Sequence, residues 1–147
     1  MLDDKKYAGF FIRILAGIID IIFLLPIFLI LGIFLLNLDL SNTSRLLIDI
    51  ANHEDEINLI SLAISIPYLT YFVSSNSQAT LGKKMLKIYV GNLDGSKLSK
   101  QQSLARSIMS IVTSITLGIG FLSVLFTKEK VSLHDFVCKT RVFYKNN

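Results

Sequence analysis

Charge is scarce in this sequence. Of its 147 residues only 18% are Asp, Glu, Lys or Arg, against about a quarter in soluble domains. So few charges would solvate a water-facing surface poorly, which excludes a cytosolic enzyme of ordinary design. Low hydrophobicity, the requirement for disorder, is also missing: 52% of residues are hydrophobic and the mean hydropathy is +0.57. Cysteine is nearly absent. The single Cys138 can form no internal disulfide and reads as an inert small side chain. The two histidines, His53 and His134, lie far apart and offer no metal-ligand spacing. No nucleophile in a supporting context and no cofactor motif is found, so neither enzymatic activity nor a bound metal or cofactor is expected. Repeats and low-complexity segments are lacking as well.

What is present comes in three apolar blocks, residues 8–36, 57–73 and 104–126. From Ile14 to the end of the first block the only ionisable residue is Asp20. At ~1.5 Å per residue this stretch measures roughly 35 Å, enough for a hydrocarbon core of about 30 Å. A cleaved signal peptide would have a shorter core and a small-residue cleavage site; no Ala-x-Ala follows here, so the block is expected to stay in the membrane. The second block carries no charge, and Asn58, Ser61, Ser65 and Tyr68 fall on one helical face that prefers protein or water to acyl chains. Pro67 should bend this helix. The third block carries Arg106 near its start and contains Leu117, Gly118, Ile119 and Gly120 at its middle. It either spans the membrane or breaks there into a re-entrant hairpin whose backbone is covered by protein.

Loop charge orients the chain. Residues 37–56 carry net −4 and residues 74–103 net +4, while Lys5, Lys6 and Arg13 mark the amino end. The amino terminus and the second connection are therefore expected in the cytoplasm, with the acidic loop outside. The carboxyl tail, with Lys128, Lys130, Lys139, Arg141 and Lys145, also reads as cytoplasmic. Three simple crossings would put it outside, and the re-entrant version removes this conflict. Two short strand signals point the same way. Residues 85–90 read as a strand before the tight-turn signal Asp94-Gly95, with 97–99 as a candidate return strand, and 140–144 read as another. Pairing these pieces in one small sheet needs both on the same side. The expected fold is an all-α membrane protein of one domain, residues 1–147. It has two transmembrane helices, a third apolar segment and a small cytoplasmic β element.

Charges within the apolar blocks call for partners. Gly9, Arg13, Ala16, Gly17 and Asp20 share one helical face, where small residues admit a second helix closely. Arg13 can snorkel to the headgroups. Asp20, about 10 Å deeper, cannot, and an ionisable group at that depth needs a partner or a function.

At this point the sequence resembles the RDD family of small prokaryotic membrane proteins, named for one Arg and two Asp residues. The resemblance covers nearly the whole chain. It rests on Tyr7-Ala8-Gly9-Phe10-Phe11-Ile12-Arg13 with Asp20 following, and on Thr80-Leu81-Gly82-Lys83-Lys84-Met85-Leu86-Lys87-Ile88-Tyr89-Val90 with Asp94-Gly95 and Leu98-Ser99. It continues with Arg106, Ser132-Leu133-His134-Asp135 and Thr140-Arg141-Val142. Matched residue by residue, the name-giving positions look like Arg13, Asp20 and Asp135. Cys138-Lys139-Thr140 departs from the Ala-Gly-Thr that such proteins often have, which weakens a close-packing reading there. The resemblance implies the fold more than an activity; transport, including sodium–proton exchange, is suggested for some members.

Each candidate residue has a functional and a structural reading. Asp20 is either a proton or cation site or a structural helix–helix contact. Arg13 reads as an interfacial anchor or ion-pair partner before a substrate ligand. Asp135 is expected to dock the tail on Arg13 or Arg106 rather than work with His134 in acid–base chemistry. Thr80-Leu81-Gly82-Lys83-Lys84 lacks the phosphate-loop pattern, so Lys83, Lys84 and Lys87 read as lipid-headgroup contacts. Nucleic-acid binding has no motif behind it. Two function classes follow for a protein of the inner (cytoplasmic) membrane. One is a transport unit moving a cation or proton, as a homo-oligomer or with other membrane proteins. The other is a non-catalytic scaffold or accessory subunit whose charges are structural.

Overall fold

The computed structural model describes residues 7–38, 40–115 and 119–145. The chain is mostly helical. Two long helices, α1 (Phe10–Leu36) and α3 (Glu54–Ser74), are joined through the shorter α2 (Thr43–Asn52). They are followed by α4 (Leu81–Met85), β1 (Ile88–Asn92), α5 (Lys100–Ile115), α6 (Ile119–Phe126), α7 (Leu133–Val137) and β2 (Thr140–Tyr144).

α1 runs through Pro26 without a break and stops where Asn37 takes the left-handed conformation, at φ 53°. Its 27 residues measure about 40 Å. Arg13, Ala16, Asp20 and Leu24 form one buried stripe, while the remaining faces expose Ile22 (62%), Ile30 (65%) and Phe34 (79%). Monomeric soluble proteins rarely show so continuous an apolar surface. α3, 21 residues long, runs through Pro67 without a break. Among the described residues, α1 and α3 are the two helices long and apolar enough to cross a membrane. α2 was not expected from the sequence. Asn42 caps it by accepting from the amides of Ser44 and Arg45, and it leads through His53 into the acidic first turn of α3.

The third apolar block is two helices. α5 ends at Ile115 and α6 starts at Ile119; Leu117 and Gly118, where the sequence places the break, lie outside the described residues. α5 and α6 pack on each other, and both outer ends meet one cap. On the α5 side Arg106 reaches Thr140, and on the α6 side the Lys130 carbonyl reaches Arg13. The segment therefore returns to the end from which it left.

The cap is built on an antiparallel pair. β1 aligns with β2 so that Ile88 faces Tyr144, Val90 faces Val142 and Asn92 faces Thr140. Tyr7 adds a bridge to Phe143, and the Ala8 amide donates to the Val142 carbonyl at 2.9 Å. Residues 97–99 are not the return strand. One edge of β1 is taken by β2 and the other by Gln78, whose carbonyl accepts from Val90 N while its side chain donates to Val90 O. Leu98 instead plugs the core formed with Ala8, Ala16, Val73, Ile88, Val90 and Val142.

The cap also contains a repetition that the sequence hides. Thr80 and Ser132 each sit at the N-cap of a one-turn helix, which ends at a left-handed lysine, Lys87 (φ 53°) or Lys139 (φ 52°), directly before a strand. Only Leu81/Leu133, Lys87/Lys139 and Val90/Val142 are identical between the two copies. Too few positions are shared for residue matching to find it.

Candidate functional site

Two buried charge networks tie the cap to the long helices. In the first, Asp135 on α7 is completely buried and held by two guanidinium groups. Arg13 Nη1 from α1 donates to its Oδ2, and Arg106 Nη2 from α5 donates to its Oδ1. Arg13 also donates through Nε to the Ala8 carbonyl at 3.0 Å and through Nη2 to the Lys130 carbonyl at 2.6 Å. Thr140 Oγ1 accepts from Arg106 Nε at 3.1 Å and lies 3.4 Å from Asp135 Oδ1. Burial alone would push the Asp135 carboxyl up, but Arg106 and Arg13 outweigh it and hold the group well below the usual carboxylate range. It is an anion shared by two cations. His134 beside it is pushed down to about 3, by burial and then by the Arg106 charge, so its ring is neutral at ordinary pH. Its Nε2 lies 3.0 Å from Ser132 Oγ. A neutral ring packed in this way is a poor acid–base catalyst.

The second network surrounds Asp20. Its Oδ1 accepts from Tyr68 OH and from the Gly82 amide, both at 2.7 Å, and its Oδ2 accepts from Thr80 Oγ1 at 2.6 Å. Tyr68 OH in turn accepts from the Leu81 amide at 3.1 Å. Asp20 and Tyr68 thus satisfy the Gly82 and Leu81 amides in the first turn of α4, while the Lys83 amide donates to the N-cap Thr80 Oγ1 at 3.4 Å. The contact demands glycine: a Cβ added to Gly82 would sit 2.1 Å from the Ala16 carbonyl oxygen. The small-residue face of α1 therefore receives the N-terminus of α4.

Sequence spacing puts Arg13 and Asp20 on one face, and both are buried there, but they belong to different networks. Arg13, Arg106 and Asp135 meet; Asp20 pairs with groups on α3 and α4. Sequence reasoning does not reach Tyr68, Thr80 and Gly82 as partners of Asp20. Tyr68 lies on the polar face of α3, and Thr80 and Gly82 lie in the stretch 80–90, but no spacing joins either to Asp20. The three lysines separate as well. Lys84 and Lys87 are exposed, whereas Lys83 is half-buried and turned inward. Burial pushes the Cys138 thiol up, which disfavours a reactive thiolate.

Between α1, α3 and α5 lies a cavity of about 530 Å³. Arg13, Asp20, Lys83, Arg106 and His134 line its polar end, and hydroxyls of Ser65, Ser107 and Ser110 line its wall. Burial, and then the Arg106 charge, pushes the Lys83 ammonium down to about 8.

Comparison with known proteins places these residues in a wider group. The family pattern described as the RDD family matches residues 7–139, which include all four candidate charges. A relative, "Uncharacterized protein YxaI" of Bacillus subtilis (strain 168), is 36% identical over 151 residues, covering 96% of this chain and 99% of that protein. No solved structure matches.

Proposed function

Given that this chain belongs to the RDD family, we propose that it is a multi-pass protein of the cytoplasmic membrane acting as a non-catalytic scaffold or accessory subunit. In this reading α1 and α3 cross the bilayer, α5 and α6 form a re-entrant hairpin, and the cap and both termini lie in the cytoplasm. The bilayer is its first partner, and the apolar outer faces of α1 and α3 suit a second copy or another membrane protein.

One observation carries the choice of role: both acidic groups are saturated by the fold itself. Asp20 accepts three hydrogen bonds from Tyr68, Thr80 and Gly82, and Asp135 is clamped by two arginines. A carrier carboxylate has to release its partners in every cycle. Here release would undock α4 or α7 from the membrane helices.

A second reading, cation or proton exchange through Asp20, is favoured by the cavity that Asp20 shares with several hydroxyls. Flux measurements separate the two. Wild-type protein in liposomes should carry no more sodium or proton flux than empty liposomes. Asp20→Asn should lose about 1–3 kcal/mol of stability in detergent, because an amide donor then faces donors. Cation-dependent proton flux that folded Asp20→Asn abolishes would overturn the scaffold reading in favour of exchange.

A further inference from the structure

The scaffold reading leaves one charge without a task. Arg13 and Arg106 have Asp135 between them, and Asp20 has its three donors, but among the described residues no hydrogen bond or ion pair engages Lys83 Nζ. Arg106 is the charge that acts most strongly on Lys83, and it acts by repulsion. Its Nε and Nη2 are committed to Thr140 and Asp135, and its remaining nitrogen makes no bond among the described residues. Two cations thus face one cavity, whose walls hold Arg13, Lys83 and Arg106 against the single carboxylate of Asp20. Even with Asp135 counted behind the two arginines, one positive charge is left over. That surplus repels a free cation and suits a single negative charge.

The size and the walls narrow the ligand. At about 530 Å³ the cavity is far larger than one small anion needs, and away from the charges it is lined by Ile14, Ile21, Leu24 and Leu69. Ile14 and Ile21 are also exposed on the outside of α1, so the apolar wall continues onto the lipid-facing surface. We infer that this cavity is a binding site for an anionic amphiphile, whose phosphate sits between Lys83 and Arg106 and whose hydrocarbon leaves along α1. A bilayer phospholipid such as phosphatidylglycerol has this chemistry; inorganic phosphate shares only the head. The inference rests on the membrane reading but on neither role proposed above.

Gly17 gives a steric test independent of charge. It lines the cavity, and a Cβ built there meets nothing within 4 Å. The full chain is recovered from the membrane fraction, purified in detergent and mixed with phosphatidylglycerol, phosphatidylcholine or inorganic phosphate, and bound lipid is counted by native mass spectrometry. The structure predicts retention of phosphatidylglycerol over phosphatidylcholine. Lys83→Gln should weaken that retention about tenfold, while Lys84→Gln, removing the same charge from an exposed position, should change it by less than about twofold. Gly17→Leu should block retention while thermal stability stays at or above wild type. Equal retention of the two lipids, or wild-type retention by both Lys83→Gln and Gly17→Leu, overturns the site. Inorganic phosphate that stabilises the wild type without any lipid being retained overturns the amphiphile. Chain absent from the membrane fraction would contradict the membrane reading instead.

Discussion

Asp135 is a carboxylate that two arginines from different helices must share, and its worth depends on both being present. A buried ion whose partner is deleted typically costs a protein about 3–5 kcal/mol. Asp135→Ala should destabilise by about this much and Arg13→Ala by somewhat less, since Arg106 still holds the carboxylate. The double variant should cost less than their sum, because Arg13→Ala removes one of the two cations that Asp135→Ala strands. Thermal unfolding of the four proteins in detergent measures it, and strict additivity would count against the pair. The sign with pH follows from the direction of the shift. The folded carboxyl lies below its ordinary value of 3.8, so its contribution is complete above that pH and is lost as pH falls toward the folded value. The meeting of Arg13 with Asp135 was legible in the sequence because opposite charges stood at the same expected depth. Asp20 was not legible in this way. Depth along a helix says that a partner is needed, and it cannot say that the partner is a backbone amide on a turn far along the chain.

Among the elements, the long helices were the most legible, since unbroken apolar runs leave little choice of structure. α2 was hidden in a loop read only for its charge; its Leu47 and Ile48, exposed in the structure, give it an apolar side that charge counting ignores. The pairing of β1 with β2 was foreseen, but the competing return strand was wrong because Gln78 already occupies the other edge of β1. The docking of α4 on α1 turns on one position. Gly82→Ala would drive a methyl group into the Ala16 carbonyl oxygen, a backbone atom that cannot swing aside, and should destabilise by several kcal/mol, beyond about 1–3 kcal/mol for ordinary overpacking. Gly17→Ala, a change of the same chemistry in open space, should stabilise by about 0.5–1 kcal/mol through helix propensity. Unfolding curves for the two variants test the pair together, and a loss from Gly17→Ala equal to that from Gly82→Ala would mean that the α1–α4 contact is not close.

At the scale of the whole molecule, the account depends on one geometric relation: both ends of the third apolar segment lie on the same face as the amino terminus. α5 measures only about 24 Å from its 16 residues, short of a hydrocarbon core of about 30 Å. α6 then leads back to Arg13. The charge pattern of the loops agrees with this relation, and so does the β1–β2 pairing, which needs the connection before α5 and the tail after α7 in one compartment. Labelling of single cysteines in a Cys138→Ser background tests it most directly, with a membrane-impermeant thiol reagent applied to intact cells and to lysed cells. The account predicts that cysteines at Lys97 and Lys145 react only after lysis, while one at Ser41 reacts in intact cells. Reaction of the Lys145 position in intact cells would contradict it.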